Sequence, residues 1–90
     1  MRSVIEVEPI GGSKYRVTVE EGGARTEHEV TAAPDVVERY APGAAAERLL
    51  RASFEFLLER EPKEAILRRF ELPVIERYFP EYPRVIRGRV

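Results

Sequence analysis

His28 is the sole histidine of this 90-residue chain, and it stands between Glu27 and Glu29. A strand sends those glutamates to the face opposite the imidazole, so the three cannot converge on one metal ion. The chain has no cysteine, which removes thiolate ligands, thiol nucleophiles and disulfides together. The expectation for His28 is a partly buried or rim position with one hydrogen bond, among Val17, Thr26 and Val30 and beneath a helix. Carboxylates are plentiful, but most fall on solvated stripes or opposite arginines. Paired-acid chemistry needs two acids in different environments within a cleft. Glu59 with Glu61, or Glu64 with Glu71, are the pairs placed to flank a pocket. Among the three serines, Ser13 sits in a turn and Ser53 on an apolar helix face, and no Gly-x-Ser-x-Gly elbow, phosphate loop or dinucleotide fingerprint is present. The chain does not read as an enzyme, and no cofactor or metal is expected.

Arginine and aromatic residues gather in the last quarter: Arg68, Arg69, Arg77, Arg84, Arg87 and Arg89 interleave with Tyr78, Phe79 and Tyr82. Such a mixture can grip phosphates and stack on bases. Against nucleic acid stand Glu71, Glu76 and Glu81 among the arginines, and the apolar Val74 and Ile75 where a recognition helix would offer polar side chains. The alternative is that Tyr78, Phe79 and Tyr82 pack against the main helix while the arginines cover the surface. The candidates for a protein-facing surface are Tyr78, Phe79, Tyr82 and Arg84, and those for a nucleic-acid partner are Arg84, Arg87 and Arg89.

Composition narrows the field further. Asparagine and glutamine are absent, Asp35 is the one aspartate, and arginine outnumbers lysine 13 to 2. That bias suits heat adaptation or a GC-rich genome. The net charge of −1 conceals an asymmetry: residues 1–43 carry five basic against eight acidic side chains, residues 44–90 ten against eight. The difference is too mild to demand a nucleic-acid partner. No apolar run is long enough for a membrane span, and the first residues lack a leader's apolar stretch, so a cytoplasmic protein is expected.

The elements that must position these residues follow from periodicity. Ile5 and Val7 alternate with Glu6 and Glu8, Tyr15, Val17 and Val19 with Arg16, Thr18 and Glu20, and Thr26, His28 and Val30 with Glu27 and Glu29. This predicts an antiparallel meander with strands near 3–9, 14–20 and 24–32. A two-residue Gly22-Gly23 turn sets Val17 against His28. A three-residue Gly11-Gly12-Ser13 loop sets Ile5 against Val19, Val7 against Val17 and Glu8 against Arg16, so that both faces agree across three strands. Arg16 is then expected between Glu8 and Glu29.

Residues 34–43 read as a connector in which Pro34 opens a helical turn and Pro42-Gly43 stops it. Residues 44–61 form the main helix, with Ala46, Leu50, Ser53, Phe54 and Leu57 on one face and Arg48, Arg51, Glu55 and Glu59 opposite. Pro62 ends it, and two short helices are expected, one over 62–70 that places Ile66, Leu67 and Phe70 together and one over 73–79. Residues 81–90 read as an extended tail or extra strand. Pro34-Asp-Val-Val-Glu-Arg-Tyr-Ala-Pro42 and Pro73-Val-Ile-Glu-Arg-Tyr-Phe-Pro80 echo each other with spacing that differs by one residue, which fits convergent use of proline-bounded turns.

From Phe54-Glu-Phe-Leu-Leu-Glu-Arg-Glu-Pro62 through Ile66-Leu-Arg-Arg-Phe-Glu-Leu-Pro-Val-Ile-Glu-Arg-Tyr-Phe-Pro-Glu-Tyr-Pro83, the chain resembles a family of short uncharacterised bacterial proteins, over about residues 53–83. The resemblance implies an intact small protein and brings no activity, ligand or site residue. The expectation is therefore one α+β domain spanning residues 1–90. It comprises the meander at 1–33, the connector at 34–43, a helical part at 44–80 and the tail at 81–90. Function is expected to be non-catalytic interaction or assembly, with a protein partner or a homodimer, and with a nucleic-acid-associated regulator as the alternative.

Overall fold

The computed structural model describes residues 3–90. Three eight-residue strands form the expected meander: β1 (Val4–Gly11), β2 (Lys14–Glu21) and β3 (Ala24–Thr31). Their register places Ile5 opposite Val19, Val7 opposite Val17, Glu8 opposite Arg16 and Val17 opposite His28. Gly22 and Gly23 both take positive φ, the backbone of the two-residue turn that matches strand twist. The first hairpin differs in detail. Gly11 pairs with Lys14, and the register shifts between Pro9 and Gly11, so β1 carries an irregularity at Ile10 and the connection shortens to Gly12-Ser13. Proline cannot donate to the ladder, which makes the strand end a natural place for that break.

The sheet has four strands rather than three. A short β4 (Arg69–Glu71) runs parallel to β3, with Val30 opposite Phe70. The Glu29 amide donates to the Arg68 carbonyl at 2.8 Å and the Leu72 amide to the Thr31 carbonyl at 3.0 Å. The expected helix over 62–70 is thereby corrected: a 3-10 turn occupies Lys63–Ala65 and the chain then extends. From Arg69 to Leu72 the side chains alternate exposed and buried, a period of two that an apolar pattern this short does not separate from a helical one. The unfilled edge of β3 supplies the backbone partners that settle it.

Among the described residues there are four helices, α1 (Pro34–Tyr40), α2 (Ala46–Leu58), α3 (Val74–Tyr78) and α4 (Tyr82–Arg87); α2 lies on the sheet, α1 and α4 pack on α2, and α3 on α4. The main helix is shorter than 44–61 because Ala45 at its N-cap offers no side-chain acceptor and Glu59 closes its last turn. The connector is part of the core, since α1 makes two turns and buries Val37 and Tyr40. The extended tail is likewise corrected to a helix. Pro83 lies in the first turn of α4, where its missing N–H is harmless, and Tyr82 and Ile86, four apart, are buried on its inner side. No helix among the described residues is long and apolar enough to cross a membrane.

The core lies between the sheet and α2. Val17, Val19 and Val30 of the sheet and Leu49, Leu50 and Phe54 of α2 are all fully buried, while Phe56 turns to Phe79 and Tyr82 on the far side of the helix. On the free edge of β1, the Arg51 guanidinium of α2 donates to the Ile5 carbonyl, so one edge acceptor is already occupied. Outside the sheet Arg16 bonds Glu8 at 2.9 Å, while Glu29 faces Lys14 at 3.8 Å and Arg69 at 3.6 Å rather than sharing Arg16.

Candidate functional site

A cavity of about 200 Å³ opens to solvent where the C-terminal end of α2, the 63–67 segment, β4 and α3 meet. Its lining comprises the buried Leu57, Ile66, Phe70 and Ile75, the half-buried Val74 and Phe79, and the exposed Ala65, Leu67 and Tyr78, with Glu61 beside them. Each wall has a local cause. Pro62 halts α2 and turns the chain, so adjacent Ile66 and Leu67 in extended backbone point opposite ways, one into the core and one outward. Leu72 enters the core beside β4, Pro73 starts α3, and Phe79 caps it with φ −132°. Leu67 is 46% exposed and Tyr78 66%, so apolar surface continues past the mouth of the cavity.

Glu61 is the one carboxylate in this lining. Burial against apolar neighbours raises its pKa, and no charged or hydrogen-bonding partner contributes to the shift. Glu59 does not join it. Arg89 donates two bonds to the Glu59 carboxylate, at 2.7 and 2.8 Å, and holds its pKa below the usual carboxylate range. Glu64 is occupied by Lys63 at 2.9 Å. The acids flanking the groove therefore do not form a pair, and Glu61 stands by itself.

The candidate partner-binding residues disperse. Tyr78 and Phe79 lie on the groove. Arg84 and Arg87 are exposed on α4, and Arg89 is engaged by Glu59. Tyr82 is corrected as a partner-facing residue and lies in the core against the main helix, the other placement open to it. Its ring is fully buried, with ring centroids 5.2 Å from Tyr40 and 5.3 Å from Phe56. Ser53 donates to the Leu49 carbonyl at 2.7 Å and accepts from the Tyr82 hydroxyl at 2.6 Å, so neither hydroxyl is left to react. Burial pushes the Tyr82 phenol well above its ordinary value. Tyr40 donates to Glu76 at 2.7 Å, and burial with that bond pushes its pKa up to about 12.

His28 is more deeply placed than a rim residue and makes two hydrogen bonds rather than one. Its Nδ1 lies 2.8 Å from the Leu67 carbonyl and its Nε2 2.8 Å from the Thr26 hydroxyl. A carbonyl can only accept, so Nδ1 carries the proton and Nε2 accepts from Thr26. Burial lowers its pKa, with the Leu67 bond acting against that and Arg68 adding to it. The imidazole ties β3 to the segment that forms the groove's outer lip. Among the described residues no group of three or more His, Asp or Glu side chains is placed to hold a metal ion.

A second, polar depression of about 340 Å³ lies near β3 and β4, lined by Ile10, Arg16, Glu27, His28, Glu29, Arg68 and Arg69. Three arginines face two glutamates there, and Arg16 and Arg69 are already paired with Glu8 and Glu29, so it is only mildly basic.

Sequence reasoning had Tyr78, Phe79 and the acid Glu61 but missed Leu67 and Phe70 as groove residues. The available signal was the adjacent pair Ile66-Leu67 after a proline, which cannot bury both side chains on one side of an extended chain. No family model, no curated protein and no solved structure matches this chain, so the functional reading rests on this geometry.

Proposed function

We propose that this chain is a small non-catalytic cytoplasmic interaction protein whose contact surface is the groove lipped by Leu67 and Tyr78. The observation that carries the reading is an open apolar cavity whose lining runs outward onto two large exposed apolar side chains. Small-molecule sites enclose most of their ligand in cavities of about 300–1,000 Å³, whereas this one holds a single large amino-acid side chain. The surface outside it suits the flanks of a polypeptide. Exposed apolar surface of this kind marks interaction sites in proteins with otherwise charged exteriors.

Titrating the isotope-labelled chain with N-acetyl-phenylalaninamide tests the reading. Amide shifts are expected to cluster within 57–79 and to vanish in the Leu67→Ser/Tyr78→Ser double variant, with thermal unfolding unchanged. Shifts scattered over the sheet, or none at millimolar probe, overturn it. The nucleic-acid alternative keeps the exposed Arg84 and Arg87, and it requires binding to an oligonucleotide that weakens steeply with salt and is lost when both are replaced by Ala.

A further inference from the structure

We infer that the groove's occupant is a segment of a partner protein that presents one large apolar side chain with a lysine or arginine beside it. The inference rests on the proposed interaction role and specifies the partner's chemistry. Its first support is charge. Glu61 is the one ionised group in the lining, it sits at the edge of an apolar cavity, and every other group there is aliphatic or aromatic. A carboxylate held against apolar walls without a cation of its own is complemented by a cation brought by the occupant. Its raised pKa agrees with this placement.

The second support is size. About 200 Å³ accepts a single Phe, Leu or Met side chain rather than a helix face, while Leu67 and Tyr78 extend the apolar surface beyond the cavity, where neighbouring main chain of the occupant would cover them. Polypeptide recognition by one anchored side chain with a charged neighbour follows from those two dimensions.

A second copy of this chain supplies that chemistry poorly. The large exposed apolar side chains among the described residues are Val4, Ile10, Leu67 and Tyr78. Leu67 and Tyr78 build the groove and cannot fill it without dismantling a wall. Val4 stands on β1 beside Glu6 and opposite Glu20, and docking it would bring acids toward Glu61. Ile10 lies among Arg16, Arg68 and Arg69 but also Glu27 and Glu29, a mixed surface that offers no isolated cation to Glu61. A free amphiphilic amine would fill the cavity yet leave the Leu67 and Tyr78 surface uncovered.

The test compares three capped dipeptides by amide-shift titration of the whole chain: acetyl-Phe-Lys-amide, acetyl-Phe-Gln-amide and acetyl-Phe-Glu-amide. The lysine peptide is expected to bind about threefold tighter than the glutamine peptide, the worth of a partly solvated ion pair, with the glutamate peptide weakest. In Glu61→Gln the lysine advantage disappears while the glutamine peptide binds as before. Equal binding of all three peptides overturns the inference but leaves the interaction groove standing. Failure of every peptide to bind removes the groove reading itself. Tighter binding of phenethylammonium than of the lysine peptide makes this a small-molecule site and overturns the polypeptide occupant. A dimer in sedimentation that the lysine peptide dissociates overturns it in favour of a second copy.

Discussion

Tyr78 and Tyr82 lie four residues apart, carry the same side chain and end in opposite environments. Tyr82 is sealed among Phe56, Tyr40 and Ser53 with its hydroxyl bonded, whereas Tyr78 stands 66% exposed at the lip of an apolar groove. Four residues would place both on one side of a continuous helix, but Pro80 follows the end of α3 and α4 begins afresh at Tyr82. The break rotates the second tyrosine into the core and leaves the first outside. One stretch of sequence thus serves two ends: stability at α4, and an unfilled apolar surface at α3.

The largest test of that contrast is truncation. Tyr82→Ala should cost about 3–5 kcal/mol in urea unfolding, since it empties the space between α2 and α4 and leaves Ser53 without its donor. Tyr78→Ala should change stability by less than about 0.5 kcal/mol, as for surface positions that support nothing. Tyr82→Phe should fall between, at about 1 kcal/mol for one buried hydrogen bond. Comparable losses for Tyr78→Ala and Tyr82→Ala would erase the distinction between a sealed and an open tyrosine.

The same break explains what was legible in the residues beforehand. The meander was, because β-branched alternation and paired glycines leave one consistent register and a one-residue slip would expose Val17 and Val19. The α2 stripe was also legible, including Ser53 on its apolar face. β4 was not: three residues, Arg69-Phe70-Glu71, are too few for a period, and what fixes them is the vacant edge of β3, a partner 40 residues earlier in the chain. The helical tail was missed because Arg84-Val85-Ile86-Arg87 reads as readily extended, although Tyr82 and Ile86 have helical spacing. At the groove, Tyr78 and Phe79 were singled out for their chemistry. Leu67 was hidden by the reading of 62–70 as a helix, which assigns it to the same buried side as Ile66.

A second test concerns the tie between the sheet and the groove's lip. His28 is neutral and bonded on both ring nitrogens, and burial lowers its pKa in the folded state below the unfolded value of about 6.5. The unfolded chain then binds more protons than the fold just below that value. The contribution is fully present above pH 6.5 and is lost as pH falls through the folded pKa, at no more than about 1.4 kcal/mol per pH unit. Urea midpoints measured downward from neutrality should therefore drop before the bulk of the carboxylates titrate. His28→Gln should flatten that first decline. Because Leu67 accepts from the imidazole, amide exchange around 66–68 should accelerate in the same window, ahead of exchange in β2. Simultaneous acceleration throughout the sheet would mean that the lip is no separate unit.

The smallest effect bears on the open end. Burial raises the Glu61 pKa in the fold, so the folded chain holds that proton more tightly than the unfolded one. Its favourable contribution belongs to pH below the unfolded value and is lost as pH rises through the folded one; at neutral pH the carboxylate opposes folding. Glu61→Gln should accordingly stabilise the chain at neutral pH, by less than about 1 kcal/mol because solvent still screens the group. The gain should vanish below about pH 4, where both states carry the proton. Glu59→Gln should do the reverse at neutral pH, since it removes the negative charge and one of the two oxygens that accept from Arg89. Opposite signs for two glutamates two residues apart would separate an acid that anchors α2 to the residues after α4 from one kept at a small cost in stability, as expected where a surface is retained for a partner. Equal signs would place Glu61 among the ordinary surface acids and leave the groove without its charge.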